Sequence, residues 1–197
     1  MADSPVAVRV DDVAKILYSE GQVQKRMKEI GNLIRMLPIK TPEKHPFVMI
    51  CVLSQAVVFF TDLMRELSEF SIIADYVDYE CHIDAASGTE EVVFTRKIGV
   101  GLAGANVLLV DYSQNSGRKL QGLKNYILKH CTATNVWTVV LLAKLSREFD
   151  PAQVEPDVIG FDVAGGVRVV GYGGSSLGRY GNLKHIAYLQ DKEIIVK

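Results

Sequence analysis

The stretch VLLVDYSQNSGRKL, Val107 to Leu120, passes from an apolar run through Asp111, Tyr112 and Asn115 into Ser116, Gly117, Arg118 and Lys119. A turn that follows a buried strand of an open α/β sheet lies at the carboxyl edge, where the next helix offers unpaired N–H groups and the positive end of its dipole. These residue types suit an anion. Ser116 can supply a hydroxyl, Gly117 lets backbone approach an oxyanion closely, and Arg118 or Lys119 adds positive charge, the parts of a nest for a phosphate. The same residues also suit a plain helix cap, with Asn115 or Ser116 as N-cap and Gly117 merely permissive. Asp111 is the stretch's only carboxylate.

Other chemistries find less support. There is no Walker motif, and GVGLAG, Gly99 to Gly104, precedes a strand rather than following one, so it lacks the context of a dinucleotide fingerprint. His45, His82, His130 and His185 are scattered without metal-ligand spacing, and no GxSxG elbow, HExxH helix or Cys–His pair is present. Cys51, Cys81 and Cys131 are odd in number and widely spaced, as expected of reduced thiols inside a cell. A formal net charge of −1 over 197 residues gives no broad field for nucleic acid or an anionic membrane. No apolar run reaches the roughly 18 residues of a membrane span, so the expectation is a cytoplasmic protein that binds neither membrane nor, directly, nucleic acid.

Positioning such a turn requires a parallel sheet. Ser19 to Leu37 predicts a helix, with Ser19 and Gln22 as a capping box and Val23, Met27, Ile30 and Ile34 at helical spacing. Phe47 to Leu53, Val107 to Asp111 and Val136 to Ala143 are apolar runs of strand length, the mark of parallel strands covered on both faces. Helices are expected over Gln55 to Phe70 and Leu120 to Lys129, and strands over Ser71 to Tyr79 and Glu91 to Lys97 around the polar loop ECHIDAASGTE. Alternating strands and helices make this an α/β chain, one domain with its core over about 40–150 and a small hood from about 1–18 and 157–197.

Read together, AKILYSEGQVQKRMKEIGNLI, FVMICVLSQAVVFFTDLMREL, VLLVDYSQNSGRKL, TVVLLAK and PDVIGFDV…VVGYG resemble, in order and spacing, the hypoxanthine-guanine phosphoribosyltransferase family, of type I phosphoribosyltransferase fold. The resemblance implies a parallel sheet flanked by helices under a hood, and a reaction that moves ribose phosphate from phosphoribosyl pyrophosphate to a 6-oxopurine with magnesium. It places Asp111 on the ribose, Ser116, Gly117, Arg118 and Lys119 on the 5′-phosphate, and Lys144 on the purine 6-oxo group.

Several family positions carry other residues here. The second acid falls at Tyr112, the purine acid/base at Asn115, and the loop lysine within Leu53, Ser54, Gln55 and Ala56. The tail aspartate and arginine fall at Ser175 and Gly181, with Arg179 nearby. The mobile loop's Ser-Tyr pair falls on Asp78 and Tyr79, and the stacking aromatic near Val167 and Arg168. An amide cannot exchange a proton near neutral pH.

These departures lead to the expectation of a catalytically silent pseudoenzyme with no catalytic residues. It would act as a nucleotide- or phosphate-binding, regulatory or scaffold subunit, in a homo-oligomer or with an active relative, and bind a nucleoside monophosphate or other phosphate ligand. It would require no cofactor and hold no metal, with Asp111 the one weak metal candidate. The alternative is an active hypoxanthine-guanine phosphoribosyltransferase of purine salvage that uses magnesium. A third reading is a structural subunit of a ribonucleoprotein.

Overall fold

In a computed structural model the described residues are 13–39, 45–83, 90–145 and 154–189. In chain order they form β1 (Val13–Tyr18), α1 (Glu20–Arg35), β2 (Phe47–Val52), α2 (Val57–Glu66), β3 (Ile72–Ile83), β4 (Glu90–Arg96), β5 (Asn106–Gln114), α3 (Arg118–His130), β6 (Asn135–Leu145), β7 (Val158–Ala164), β8 (Val169–Val170) and β9 (Ile186–Leu189). Residues 1–12, 40–44 with the start of the expected linker, 84–89 within the expected polar loop, 146–153 and 190–197 lie outside them.

Six strands make the main sheet in the order β4-β3-β2-β5-β6-β7, parallel except for the β3–β4 pair. All six residues of β2 are buried because its two faces feed different cores. Phe47, Met49 and Cys51 pack with α1 and α2, while Val48, Ile50 and Val52 pack with α3. β5 alternates likewise, with Leu108, Val110 and Tyr112 on the α1–α2 side and Val107 and Leu109 on the α3 side. Each such fully buried aliphatic or aromatic side chain contributes about 1.5–3 kcal/mol.

α1 begins at the capping box read from the sequence: Gln22 N–H donates to Ser19 Oγ at 3.4 Å, and Ser19 N–H donates to Gln22 Oε1 at 2.9 Å. Its buried stripe is Val23, Met27, Ile30 and Ile34. Arg26 crosses to β7, donating to the carbonyls of Ile159 at 2.9 Å and Gly160 at 2.5 Å. Asp75, buried in β3, accepts the N–H groups of Gly99 at 2.6 Å and Val100 at 3.0 Å and so holds the connection into β5.

A three-stranded antiparallel sheet, β1-β9-β8, forms the hood. Its membership differs from the expected 157–197, because Val158–Ala164 pairs in parallel with β6 as the sixth strand of the main sheet. β3 runs through Ile83 and β4 starts at Glu90, so the expected polar loop shrinks to the residues between them. Asp78 and Tyr79, assigned by resemblance to a mobile loop, are instead paired within β3 and β4. Tyr79 is buried, and its hydroxyl donates to the Lys119 carbonyl at 3.0 Å. β5 is longer than expected and ends at Gln114, since Tyr112 and Gln114 are buried on one face and continue the period-two pattern.

Candidate active site at the carboxyl edge of β5 and β6

β5 ends in the middle of the sheet, and the chain then bends through Asn115 to Gly117 into α3. Gly117 is the N-cap with φ of 76°, and no side chain caps the helix. Neither Asn115 nor Ser116 therefore serves as N-cap; that position is taken by Gly117. Glycine is required for two reasons. The left-handed φ is costly for other residues, and a Cβ here would collide with the carbonyl oxygen of Val154.

The close approach at Gly117 is thus made by protein backbone. Val154 N–H donates to the Ser116 carbonyl at 2.8 Å, and Gln114 Nε2 donates to the Val154 carbonyl at 3.2 Å. The open first turn of α3 remains the anion-seeking element, since the first N–H groups of a helix lack intrahelical acceptors. Ser116 Oγ accepts from Arg118 Nε at 3.4 Å. Lys119 leans toward β3, with Nζ 4.9 Å from the Tyr79 ring centroid and 3.8 Å from Glu80 Oε2. Asn115 is exposed at the end of β5.

Asp111 curls back on its own strand and accepts the Tyr112 N–H at 2.6 Å. Burial pushes its carboxyl up to about 6, against the pull of the Tyr112 N–H, the Lys119 charge and the Ser113 N–H. The donor set does not fit a resident metal. Among the described residues no three His, Cys, Asp or Glu side chains gather to hold one, Asp111 stands alone, and Tyr112 and Ser175 bring no carboxylate.

Beside this turn lies a cavity of about 160 Å³. Its walls include Gln55 from the β2–α2 turn, Tyr112 and Ser113 from β5, Lys144 from β6, and Arg168 and Ser175 from the tail. The structure thus brings together Tyr112, Lys144, Val167, Arg168 and Ser175, the last from the distant tail. The residues Asp111 and 115–119 border the same edge without lining the cavity, and Gly181 and Arg179 do not line it. Gly181 backs a separate groove with Asp62 and Tyr172, and Arg179 is exposed in a tight turn with Ser176.

Sequence reasoning missed Ser113, Ser176 and Val169 as lining residues. Ser113 was legible, since it shares the face of Asp111 two residues on once β5 is carried to Gln114. The tail residues carried no local signal.

The phosphoribosyl transferase domain model matches residues 21–169. The chain is 30% identical over 91% of its length to the bifunctional protein TilS/HprT of Listeria monocytogenes, but spans only 26% of that longer protein. It is 28% identical to the hypoxanthine-guanine phosphoribosyltransferase of Bacillus subtilis, over 91% of this chain and 94% of that one. Among solved structures, a hypoxanthine-guanine phosphoribosyltransferase of Bacillus anthracis is 26% identical with a TM-score of 0.76, covering 91% of this chain and 98% of that one.

These relatives correct the expectation of a silent scaffold, since the proteins matched along nearly their whole length are transferases by name. Losing one positioned acid/base costs about 10²–10⁴ in rate, whereas enzymes accelerate reactions by about 10⁶–10¹⁷, so that one loss does not by itself silence an enzyme. The family model covers most of both the sheet and the site, and the chain belongs to the phosphoribosyl transferase domain family, as a relative of its hypoxanthine-guanine members.

Proposed function

We propose that the chain is a 6-oxopurine phosphoribosyltransferase of purine salvage. It transfers the ribose 5-phosphate unit of phosphoribosyl pyrophosphate, supplied as its magnesium complex, to N9 of hypoxanthine or guanine. The C1′–oxygen bond to pyrophosphate breaks, the N9–C1′ bond forms, and the purine loses one proton. The reading is carried by the cavity at the carboxyl ends of β5 and β6, with Lys144 in its wall and the α3 N-terminus beside it.

At about 160 Å³ the cavity is below the roughly 300–1,000 Å³ of a pocket for a drug-sized ligand. It suits a single purine base, with the sugar phosphate lying along the open edge. Lys144 has donors only, so it favours a 6-oxo over a 6-amino substituent. The α3 N-terminus and the Ser116 hydroxyl suit the 5′-phosphate. Asp111, ionised above about pH 6, can accept from a ribose hydroxyl. Asn115 can hydrogen-bond a ring nitrogen, and the proton then passes to water.

The product nucleoside monophosphate is the phosphate ligand of the same site, and self-association belongs to the same proposal. The test is nucleotide formation from phosphoribosyl pyrophosphate and magnesium with hypoxanthine, guanine or adenine. Turnover of the two 6-oxopurines with adenine rejected is the expected result. No product, or a preference for adenine, sinks the assignment.

A further inference from the structure

Two positions at which the resemblance places other residues converge on one piece of backbone. Tyr112, where the resemblance places a second acid, is buried against the tail and donates its hydroxyl to the Gly171 carbonyl at 2.8 Å. Gln55, in the loop where the resemblance places a lysine, donates Nε2 to the Ser175 carbonyl at 3.3 Å. A third tie comes from α2, where Asp62 Oδ2 accepts the Tyr172 hydroxyl at 2.6 Å.

The tail is shaped to receive them. A Cβ at Gly174 would run into the Tyr112 phenol, and one at Gly173 into the Gln55 carbonyl. Gly171 and Gly173 hold φ of 99° and 98°. The segment is further pinned by Gly171 N–H to the Gly174 carbonyl at 2.8 Å, Tyr172 N–H to Leu183 at 2.7 Å and Gly173 N–H to Gly181 at 2.9 Å. Ser175 and Ser176, which follow at once, form part of the cavity wall.

We infer that Tyr112 and Gln55 are positioning residues that clamp Gly171 to Ser176 as a fixed wall of the cavity and thereby set its affinity for the purine nucleotide. The inference rests on the reading of this cavity as the transferase site. Residues at the positions that would otherwise contact the sugar and pyrophosphate hold a pre-formed pocket for the base. Affinity that the missing charges do not supply comes from a wall that need not be ordered on binding.

The test compares wild type, Tyr112→Phe and Gln55→Ala by amide hydrogen exchange and by calorimetry with inosine 5′-monophosphate. Each variant deletes one buried or half-buried hydrogen bond while sparing the core. The expected result is exchange about two- to tenfold faster at residues 171–174, unchanged exchange in β2 and α1, and binding weaker by a similar factor. Faster exchange throughout the protein shows a merely structural role and overturns the inference. Unchanged exchange at 171–174 removes the clamp, and faster exchange with unchanged binding removes its effect on affinity. If the wild type does not bind inosine monophosphate, the transferase reading and the affinity claim fall together, while the exchange arm still decides whether the clamp exists.

Discussion

Replacing Asp111 with Asn isolates the cost of keeping one carboxylate at the edge of the sheet. Burial raises the Asp111 pKa from its ordinary 3.8 to about 6. The folded state therefore holds this proton more tightly than the unfolded chain, so the contribution to stability is full below about pH 4 and is lost as pH rises through about 6. Two units at about 1.4 kcal/mol each give a penalty of about 3 kcal/mol at pH 7. Asn keeps the oxygen that accepts the Tyr112 N–H and carries no charge. Asp111→Asn is thus expected to raise unfolding free energy by about 2–3 kcal/mol at pH 7 and by well under 1 kcal/mol at pH 4, read from urea titrations at both values. An equal effect at the two pH values, or none at pH 7, would refute the claim that burial holds the carboxyl up. The same substitution should weaken inosine monophosphate binding, so the variant gains stability as it loses function.

Asn115→Asp is expected to raise kcat at least about tenfold with little change in the KM for purine, because it restores a group able to exchange a proton; an unchanged kcat removes Asn115 from the reacting ring. Lys144→Met should raise the KM for hypoxanthine by about 10- to 100-fold and leave that for phosphoribosyl pyrophosphate within about threefold, as expected for one hydrogen bond from a charged donor; equal effects on both substrates would argue against contact with the base. Gly117→Ala should lower unfolding free energy by about 1–3 kcal/mol through its φ of 76° and the collision with Val154, and a wild-type urea midpoint would contradict that geometry.

The parts of this architecture visible in the sequence are those whose physics is local. The Ser19–Gln22 box and the stripe Val23, Met27, Ile30 and Ile34 lie within a few turns of one helix, and α1 forms where they place it. β2 could be read because a strand covered twice has no polar face to confuse the pattern. β5 was cut short because Asp111, Ser113 and Asn115 look like a turn, while the buried Tyr112 and Gln114 between them continue the strand. Val158–Ala164 has partly exposed residues like the hood strands around it, and only its pairing with β6 assigns it to the main sheet. Tyr112 was read as a vacancy for an acid. Its partner, the Gly171 carbonyl, lies 59 residues away, and nothing within several residues of either announces the other.

The packing of Tyr112 against Gly174 also bears on how this chain can change. An acid at position 112 would place a carboxylate in a site that is 2% exposed, remove one of the two donors to the Gly171 carbonyl, which keeps the Gly174 N–H at 3.0 Å, and open a void beneath the tail. The two positions are coupled: while the phenol is in place no side chain fits at 174, so a larger residue there requires a smaller one at 112 in the same step.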